Sequence, residues 1–252
     1  MTDFALTRQW IFARLRMTSR NPRAMVFTFA FPLILVVLFS ALNGNAKVDS
    51  YGQHVRFAQF YTPAIAIFSL VTACYTSLVL GLATARDAGL LKRVRGTPLP
   101  MGIYLGSWVS SAVAVGLSGV LLLFVVSVPA FDVKLYASQL PQAIVTVLLG
   151  AACLSALGVA VASLVKTAEQ ATPVAQLTFL PISFISGIWF PLDGAPDWLV
   201  SIANFFPLKH IVESFGSSFT PGGGWHAHDL VVIAAWTAAA LFVAVRRFRW
   251  EP

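Results

Sequence analysis

The charged residues of this chain are unevenly spaced and leave six long stretches without Asp, Glu, Lys or Arg. A helix rises about 1.5 Å per residue, so about 20 residues cross the roughly 30 Å hydrocarbon layer of a bilayer. Each stretch can supply one span, although the last needs arginine stems that reach the interface. The stretches are 25–42, 57–85, 96–131, 135–165, 170–192 and 230–245. They predict an all-α polytopic membrane protein with transmembrane helices at 25–42, 57–85, 101–128, 141–165, 172–190 and 230–246.

Composition narrows the possible classes of protein. Of 252 residues, 58% are hydrophobic and only 11% are charged, with a mean hydropathy of +0.78. Soluble proteins carry about 25% charged residues. A soluble enzyme and a disordered chain are therefore excluded, and two cysteines cannot make a disulfide scaffold. We expect residues 1–252 to form a single transmembrane domain.

The distribution of Lys and Arg indicates the orientation. With the amino terminus in the cytoplasm, 13 of the 17 basic residues fall on the inner side. Only Lys47, Arg56, Lys134 and Lys209 fall outside. The excess of positive charge inside predicts that both termini are cytoplasmic. The net charge of +7 is then a topology signal, and no nucleic-acid partner is needed to explain it.

Segment 2–20 precedes the first span and is amphipathic. On a helix, Phe4, Ile11 and Leu15 share one side, while polar residues share the other. Such a pattern is typical of a helix that lies on the membrane surface. We therefore predict an interfacial helix at 2–20.

The second inner connection, 86–98, mixes cations with leucines at positions 90 and 91 and a valine at 94. On a short helix these three apolar side chains would share one side. The helix could dock into a cleft of a cytoplasmic partner, or the segment could be an interfacial loop held by its arginines. Composition favours neither alternative.

The region after the fifth span is also unusual. Residues 198–208 are uncharged and too few to span a bilayer, yet they are too apolar for an ordinary external loop. Pro191, Pro196 and Pro207 mark turns. The pattern favours a re-entrant helical hairpin on the outer side at 191–213, between spans five and six. The alternative is an outer loop that carries an aromatic belt.

The sequence lacks the residue patterns that several kinds of chemistry require. No Gly-x-x-x-x-Gly-Lys-Ser/Thr loop occurs, so we predict no ATPase activity, and hence no enzyme, in this chain. Cys74 and Cys153 suit packing inside spans. His226 and His228 could begin a metal site, but we prefer a solvated loop and predict no metal. The carboxylate-free stretches argue against acid–base chemistry or proton-coupled transport in the bilayer.

At the two unusual regions the sequence resembles the membrane subunit of type-2 ATP-binding-cassette transporters, in the drug-resistance branch that includes daunorubicin-resistance permeases. The motifs that carry the resemblance are Leu-Lys-Arg-Val-Arg-Gly-Thr-Pro-Leu at 91–99, Pro-Ile-Ser-Phe-Ile-Ser-Gly-Ile-Trp-Phe-Pro-Leu at 181–192, Pro-Asp-Trp-Leu at 196–199 and Asn-Phe-Phe-Pro-Leu at 204–208. The glycine-rich segment 221–224 departs from the pattern.

The resemblance implies the function and the partners. It implies export, with efflux and antibiotic resistance, of a hydrophobic compound such as a drug, a lipid or a glycoconjugate from the cytoplasm or inner leaflet. A separate ATPase would bind the ATP and magnesium, a second permease, identical or related, would complete the complex, and the chain itself would hold no cofactor. It also implies location in the bilayer of a bacterial plasma membrane.

The resemblance assigns roles to three groups of residues. Coupling to the ATPase would fall to Arg86, Asp87, Leu90, Leu91, Lys92, Arg93, Val94, Arg95, Thr97 and Pro98. The external gate would contain Ser186, Gly187, Pro191, Pro196, Trp198 and Pro207. Phe179, Phe184, Trp189 and Phe190 could line the translocation route. The alternative function is a six-span scaffold that recruits a cytoplasmic partner through 86–98 without transporting anything.

Overall fold

The computed structural model describes residues 9, 11–17, 20, 22–43, 46–50, 53–90, 96 and 100–247. Within the predicted helix 2–20, residues 9 and 11–17 are helical, and we call 11–17 α1. The helix α2 consists of Pro22–Met25, a π-helical turn at Val26–Ala30 and Phe31–Asn43. The further helices are α3 (Phe57–Asp87), α4 (Met101–Phe131), α5 (Leu140–Leu164), α6 (Ala168–Phe184), α7 (Asp197–Ala203), α8 (Pro207–Ser217) and α9 (Ala227–Arg247).

Helix α3 is the centre of the fold. Its sequence is apolar on every side, which is typical of a helix surrounded by others. Nearly every residue of Phe57–Val71 is buried. The helix contacts α2, α4, α5, α6 and α8, so it sets the positions of most other elements.

Among the residues that the structure describes, four helices are long and apolar enough to cross a membrane, which fits a membrane protein. They are Phe57–Asp87, Gly102–Phe131, Ala137–Leu164 (α5 with the 3-10 turn before it) and Ala227–Arg247. The spans predicted at 25–42 and 172–190 fall on α2 and α6. The apolar part of α2, Thr28–Asn43, is shorter than the four, and α6 has 17 residues with prolines at 173 and 181. The number of six spans therefore stays a prediction.

The chain is nearly all-α, but the all-α prediction missed a small β-hairpin. Strands β1 (Lys47–Ser50) and β2 (Gln53–Arg56) pair antiparallel, with Val48 opposite Val55. Such apolar cross-strand pairs stabilise short hairpins, and Val55 is buried. Gln59, in the first turn of α3 directly after the hairpin, connects this end of α3 to two other segments. Its side-chain amide nitrogen donates to the carbonyl oxygens of Lys134 (2.9 Å) and Phe219 (2.6 Å).

The segment predicted as a re-entrant hairpin contains two short helices. The chain leaves α6 through Gly187, whose φ of +86° favours glycine, and then forms α7 and α8. Helix α8 runs beyond the predicted end at 213 to Ser217 and contacts α3, α5 and α9. Its apolar residues Ile211 and Phe215 are buried. The second helix of this hairpin is thus part of the core.

Candidate functional site

A cleft of about 940 Å³ lies between α1, α2, α3, α4 and α6. Most of its wall is apolar and aromatic, and Phe31, Phe68 and Leu180 are examples. Hydroxyl and amide groups interrupt this surface, among them those of Thr72, Ser111, Thr172 and Gln176. An apolar wall with a few polar groups is the usual form of a small-molecule site.

The wall contributed by α3 contains a π-helical turn at Thr72–Thr76. The backbone N–H and the hydroxyl of Ser77 both donate to the carbonyl oxygen of Thr72, the latter at 2.9 Å, so the widened turn keeps its hydrogen bonds. Thr72, Ala73 and Thr76 line the cleft from this turn. Single π-helical turns occur often at functional sites, and this one lies where α3 faces the cavity.

One end of the cleft carries a positive charge. The guanidinium of Arg14, from α1, lies over the indole ring of Trp108, an arrangement that favours a cation–π contact. Burial lowers the pKa of Arg14 to about 10, which leaves the group charged at neutral pH. The indole in turn packs on α3 at Gly81, where an added Cβ would clash with the ring.

The four aromatic residues predicted to line the route lie in two places. Phe179 and Trp189 are on the cleft wall. Phe184 and Phe190 lie outside it and are largely exposed, at 55% and 68%. Phe184 stacks on Trp189 with 5.9 Å between ring centroids, so it supports the wall from behind.

The start of the predicted coupling segment is bonded to α6. The Arg86 guanidinium donates to the carbonyl oxygen of Val165, and the Asp87 carboxylate accepts from the backbone N–H of Ala168, the first residue of α6. A carboxylate at a helix amino terminus also interacts favourably with the helix dipole. The connection before α6 is therefore tied to the end of α3.

Only part of the predicted coupling set can be placed. Helix α3 ends in a turn at Ala88 and Gly89, and the following Leu90 is exposed. The other members lie outside the described residues: Leu91, Lys92, Arg93, Val94, Arg95, Thr97 and Pro98.

The predicted gate residues shape the hairpin. Ser186 is buried and donates to the carbonyl oxygen of Ser183 (2.9 Å), while Gly187 and Pro191 line a second cavity of about 420 Å³. Pro196 directly precedes α7, and Pro207 is the first residue of α8, where the missing N–H of proline does no harm. Trp198 is 65% exposed.

A group of polar side chains that the sequence did not reveal joins α8 to α9. The Nδ1 atom of buried His210 is 2.8 Å from Oδ1 of Asp229, and its Nε2 atom is 2.9 Å from the carbonyl oxygen of Asn204. The hydrogen bond to Asp229 raises the pKa of His210. His226 and His228 also approach Asp229, with Nδ1 to carboxylate distances of 3.3 and 3.6 Å. The signal was His-x-His-Asp at 226–229, but nothing local indicated His210 as its partner.

Comparison with known proteins identifies the family. Residues 6–220 match the ABC-2 type transporter family. YvfS of Bacillus subtilis (strain 168), whose name classes it as a transport permease, is 22% identical over 213 residues, which is 84% of this chain and 81% of YvfS.

Two Escherichia coli (strain K12) proteins are similarly related. The inner membrane transport permease YadH is 22% identical over 203 residues, covering 79% of this chain and 78% of YadH. YbhR, whose name describes a probable multidrug ABC transporter permease, is 22% identical over 205 residues, covering 78% of this chain and 55% of YbhR. Permeases of the ABC-2 type transporter family work together with an ATP-binding subunit. The chain belongs to this family and is a membrane permease subunit.

Proposed function

We propose that this permease, in the drug-resistance branch of its family, exports a hydrophobic compound such as a drug, a lipid or a glycoconjugate with energy from ATP hydrolysed by the separate subunit. It crosses the membrane six times with both termini in the cytoplasm, and a second permease, identical or related, completes the complex. One observation carries the proposal. The largely apolar cleft has α6 as one wall, and α6 is bonded to the start of the coupling segment.

The cleft suits such a substrate by size and chemistry. Pockets for drug-sized ligands measure about 300–1,000 Å³ and are mostly apolar. A cleft of about 940 Å³ lies at the upper end of that range. The hydroxyls of Thr72 and Ser111 donate to the carbonyl oxygens of Phe68 and Trp108, so their oxygen atoms can still accept a hydrogen bond from a substrate. The hydroxyl of Thr76 can accept or donate, so an amphiphilic molecule would leave few polar groups unpaired.

The bonds at the end of α3 give motion of 86–98 a path to the cleft. Arg86 donates to the connection before α6 and Asp87 accepts from the first residue of α6, and a charged partner strengthens each hydrogen bond. Helix α6 is also bonded to α3 at Tyr75, whose hydroxyl contacts that of Thr178. Closure of the ATPase pair would therefore move α6 together with the end of α3, relative to α2 and α4 across the cleft.

The hairpin that contains α7 and α8 would close the outer end of the route. Gly187, Pro191, Pro196 before α7 and Pro207 at the start of α8 mark turns at which the hairpin can bend. Because α8 is packed in the core, we expect bending around α7 while α8 stays in place.

The proposal can be tested with a variant whose bulky side chain fills the cleft. Thr172→Trp places an indole in the cleft from α6, whereas Leu177→Trp adds one to the same helix at a position that is 74% exposed and outside the cleft wall. With the permease and its co-purified ATPase in vesicles, ATP-dependent movement of a lipophilic fluorescent dye should be lost in Thr172→Trp and retained in Leu177→Trp. Equal movement in both variants would contradict the assignment of the cleft. A complex that hydrolyses ATP but moves no hydrophobic probe would favour the scaffold function.

A further inference from the structure

His210, His226, His228 and Asp229 bring four metal-binding groups together at the junction of α8 and α9. The ligand atoms of His210, His228 and Asp229 all lie within 4.8 Å of one another. In the part of the chain that the structure describes, this is the one group of three or more His, Cys, Asp or Glu side chains so arranged. Its members come from two elements, so the fold, not sequence proximity alone, assembles it.

The hydrogen bonds of His210 determine which of its ring nitrogens faces the carboxylate. The carbonyl oxygen of Asn204, 2.9 Å from Nε2, can only accept, so Nε2 carries a proton. In the neutral imidazole Nδ1 then presents a lone pair to Asp229 Oδ1, 2.8 Å away. Two lone pairs at that distance repel each other unless a positive charge lies between or beside them. That charge is either a second proton on His210 or a metal ion.

The surroundings match those of a metal ligand. A histidine that binds a metal generally donates its other N–H to a carbonyl or carboxylate, as Nε2 of His210 does. The Oδ2 atom of Asp229 is buried and accepts no hydrogen bond among the described residues, while His226 Nδ1 lies 3.3 Å from it. A free carboxylate oxygen beside a second imidazole offers a further coordination position.

The donor set selects the metal. Imidazole and carboxylate ligands suit Zn²⁺, which takes four ligands in a tetrahedron at about 2.0–2.2 Å and thus holds them about 3.3 Å apart. The Nδ1 atoms of His210 and His228 lie 2.8 and 3.6 Å from Oδ1 of Asp229, distances that bracket that separation, and Nδ1 of His226 lies 3.3 Å from Oδ2. A zinc ion would draw the ligand atoms of His210, His228 and Asp229, which lie within 4.8 Å of one another, to this separation, with His226 as the fourth ligand.

We propose that His210, His226, His228 and Asp229 form a binding site for a divalent cation of the zinc class, which fastens the hairpin helix α8 to the amino-terminal end of α9. The site would oppose separation of the two helices while the ion is bound. It requires only the fold, so it stands or falls separately from the transported substrate.

The test measures zinc binding to the purified, metal-free permease in detergent by competition with a chromogenic zinc chelator. We expect one zinc ion per chain, a higher thermal unfolding midpoint with zinc, and an absorption spectrum typical of tetrahedral coordination when Co²⁺ replaces zinc. Loss of a group that only orients a ligand typically costs about tenfold or more in metal affinity, so His228→Ala, which removes a direct ligand, should weaken zinc binding by at least about tenfold. The His228 side chain is 81% exposed, so this variant should fold normally.

His54→Ala is the matched control, because His54 also contacts a carboxylate, that of Asp49, but lies on the exposed β-hairpin. It should bind zinc as the wild type does. Absence of stoichiometric zinc binding by the wild type, or equal binding by His228→Ala and His54→Ala, would overturn the site and leave His210 and Asp229 as a hydrogen-bonded pair only.

Discussion

The polar links near the two ends of α3 differ in burial. At its carboxyl end, the link from Asp87 to the amino terminus of α6 is exposed. Near its amino end, where Phe60 and His226 line the same cavity, His210 and Asp229 form a pair whose side chains are only 3% and 10% exposed. An exposed link can break and re-form at little cost, whereas a buried one holds its helices together. The difference suggests that motion enters at the Asp87 end and is resisted at the His210 end.

The largest effect should come from breaking the buried link. Removal of one partner from a buried charged pair costs about 3–5 kcal/mol, because the other is left without compensation. Asp229→Ala should therefore lower the free energy of unfolding of the metal-free permease by about that amount, measured as denaturant unfolding in detergent.

The control for this change is Asp132→Asn, which removes the negative charge that contacts Arg56 at 3.2 Å on the surface and keeps a side chain that tolerates the φ of +52° at this position. Its side chain is 76% exposed, and such pairs contribute less than about 1 kcal/mol. Similar losses in the two variants would contradict the distinction between buried and exposed links.

Packing of Trp108 should stabilise the carboxyl end of α3, and disturbing it should lower stability by less than Asp229→Ala does. An alanine at 81 would force the Trp108 ring away, and overpacking of this kind costs about 1–3 kcal/mol. Gly81→Ala should lower the thermal unfolding midpoint and change the fluorescence of Trp108.

At position 106 an added Cβ meets no atom of the described residues within 4 Å. Gly106→Ala should therefore stabilise α4 by about 0.5–1 kcal/mol, the usual gain from replacing glycine inside a helix. If Gly81→Ala and Gly106→Ala shifted the thermal unfolding midpoint in the same direction, close packing of Trp108 on α3 would not be what stabilises the carboxyl end of α3.

The long apolar helices of the fold could be predicted from the sequence. Uncharged stretches located α3, α4, α5 and α9, because a lipid-crossing helix needs a continuous apolar run. The β-hairpin was missed because strands of four residues are too short for alternation to be distinguished from a loop. The π-helical turn at Thr72–Thr76 was missed because its sequence is compatible with an ordinary helix.

The candidate site was predicted less completely, because its parts meet only in three dimensions. The resemblance indicated 86–98 as the coupling segment and offered Phe179, Phe184, Trp189 and Phe190 as lining of a route. Phe179 and Trp189 lie on the cleft wall, and Phe184 and Phe190 lie outside it. The contribution of α1 through Arg14 depends on how α1 folds back beside α4. Likewise, His210 and Asp229 are 19 residues apart, and only the packing of α8 on α9 makes them partners.

The exposed hydrogen bond from Ala168 to Asp87 should contribute little to the stability of the permease and much to the transmission of motion from the coupling segment to α6. Asp87→Ala removes the acceptor of the Ala168 N–H, which costs about 1 kcal/mol at an exposed cap. It should weaken the transmission of motion from the coupling segment to α6, while the bonds of Arg86 and Tyr75 remain. Glu169→Ala is the matched control, since it removes a neighbouring carboxylate of the same helix turn.

The most direct measurement is the distance across the cleft between spin labels at Val115→Cys on α4 and Gln176→Cys on α6, with Cys74 and Cys153 replaced, in the complex with its ATPase. We expect the distance to change between the nucleotide-free and ATP-bound states, to change equally with Glu169→Ala, and to change clearly less with Asp87→Ala. A distance that ATP leaves unchanged in the otherwise wild-type complex, or that still changes fully in Asp87→Ala, would contradict the proposed transmission through α6.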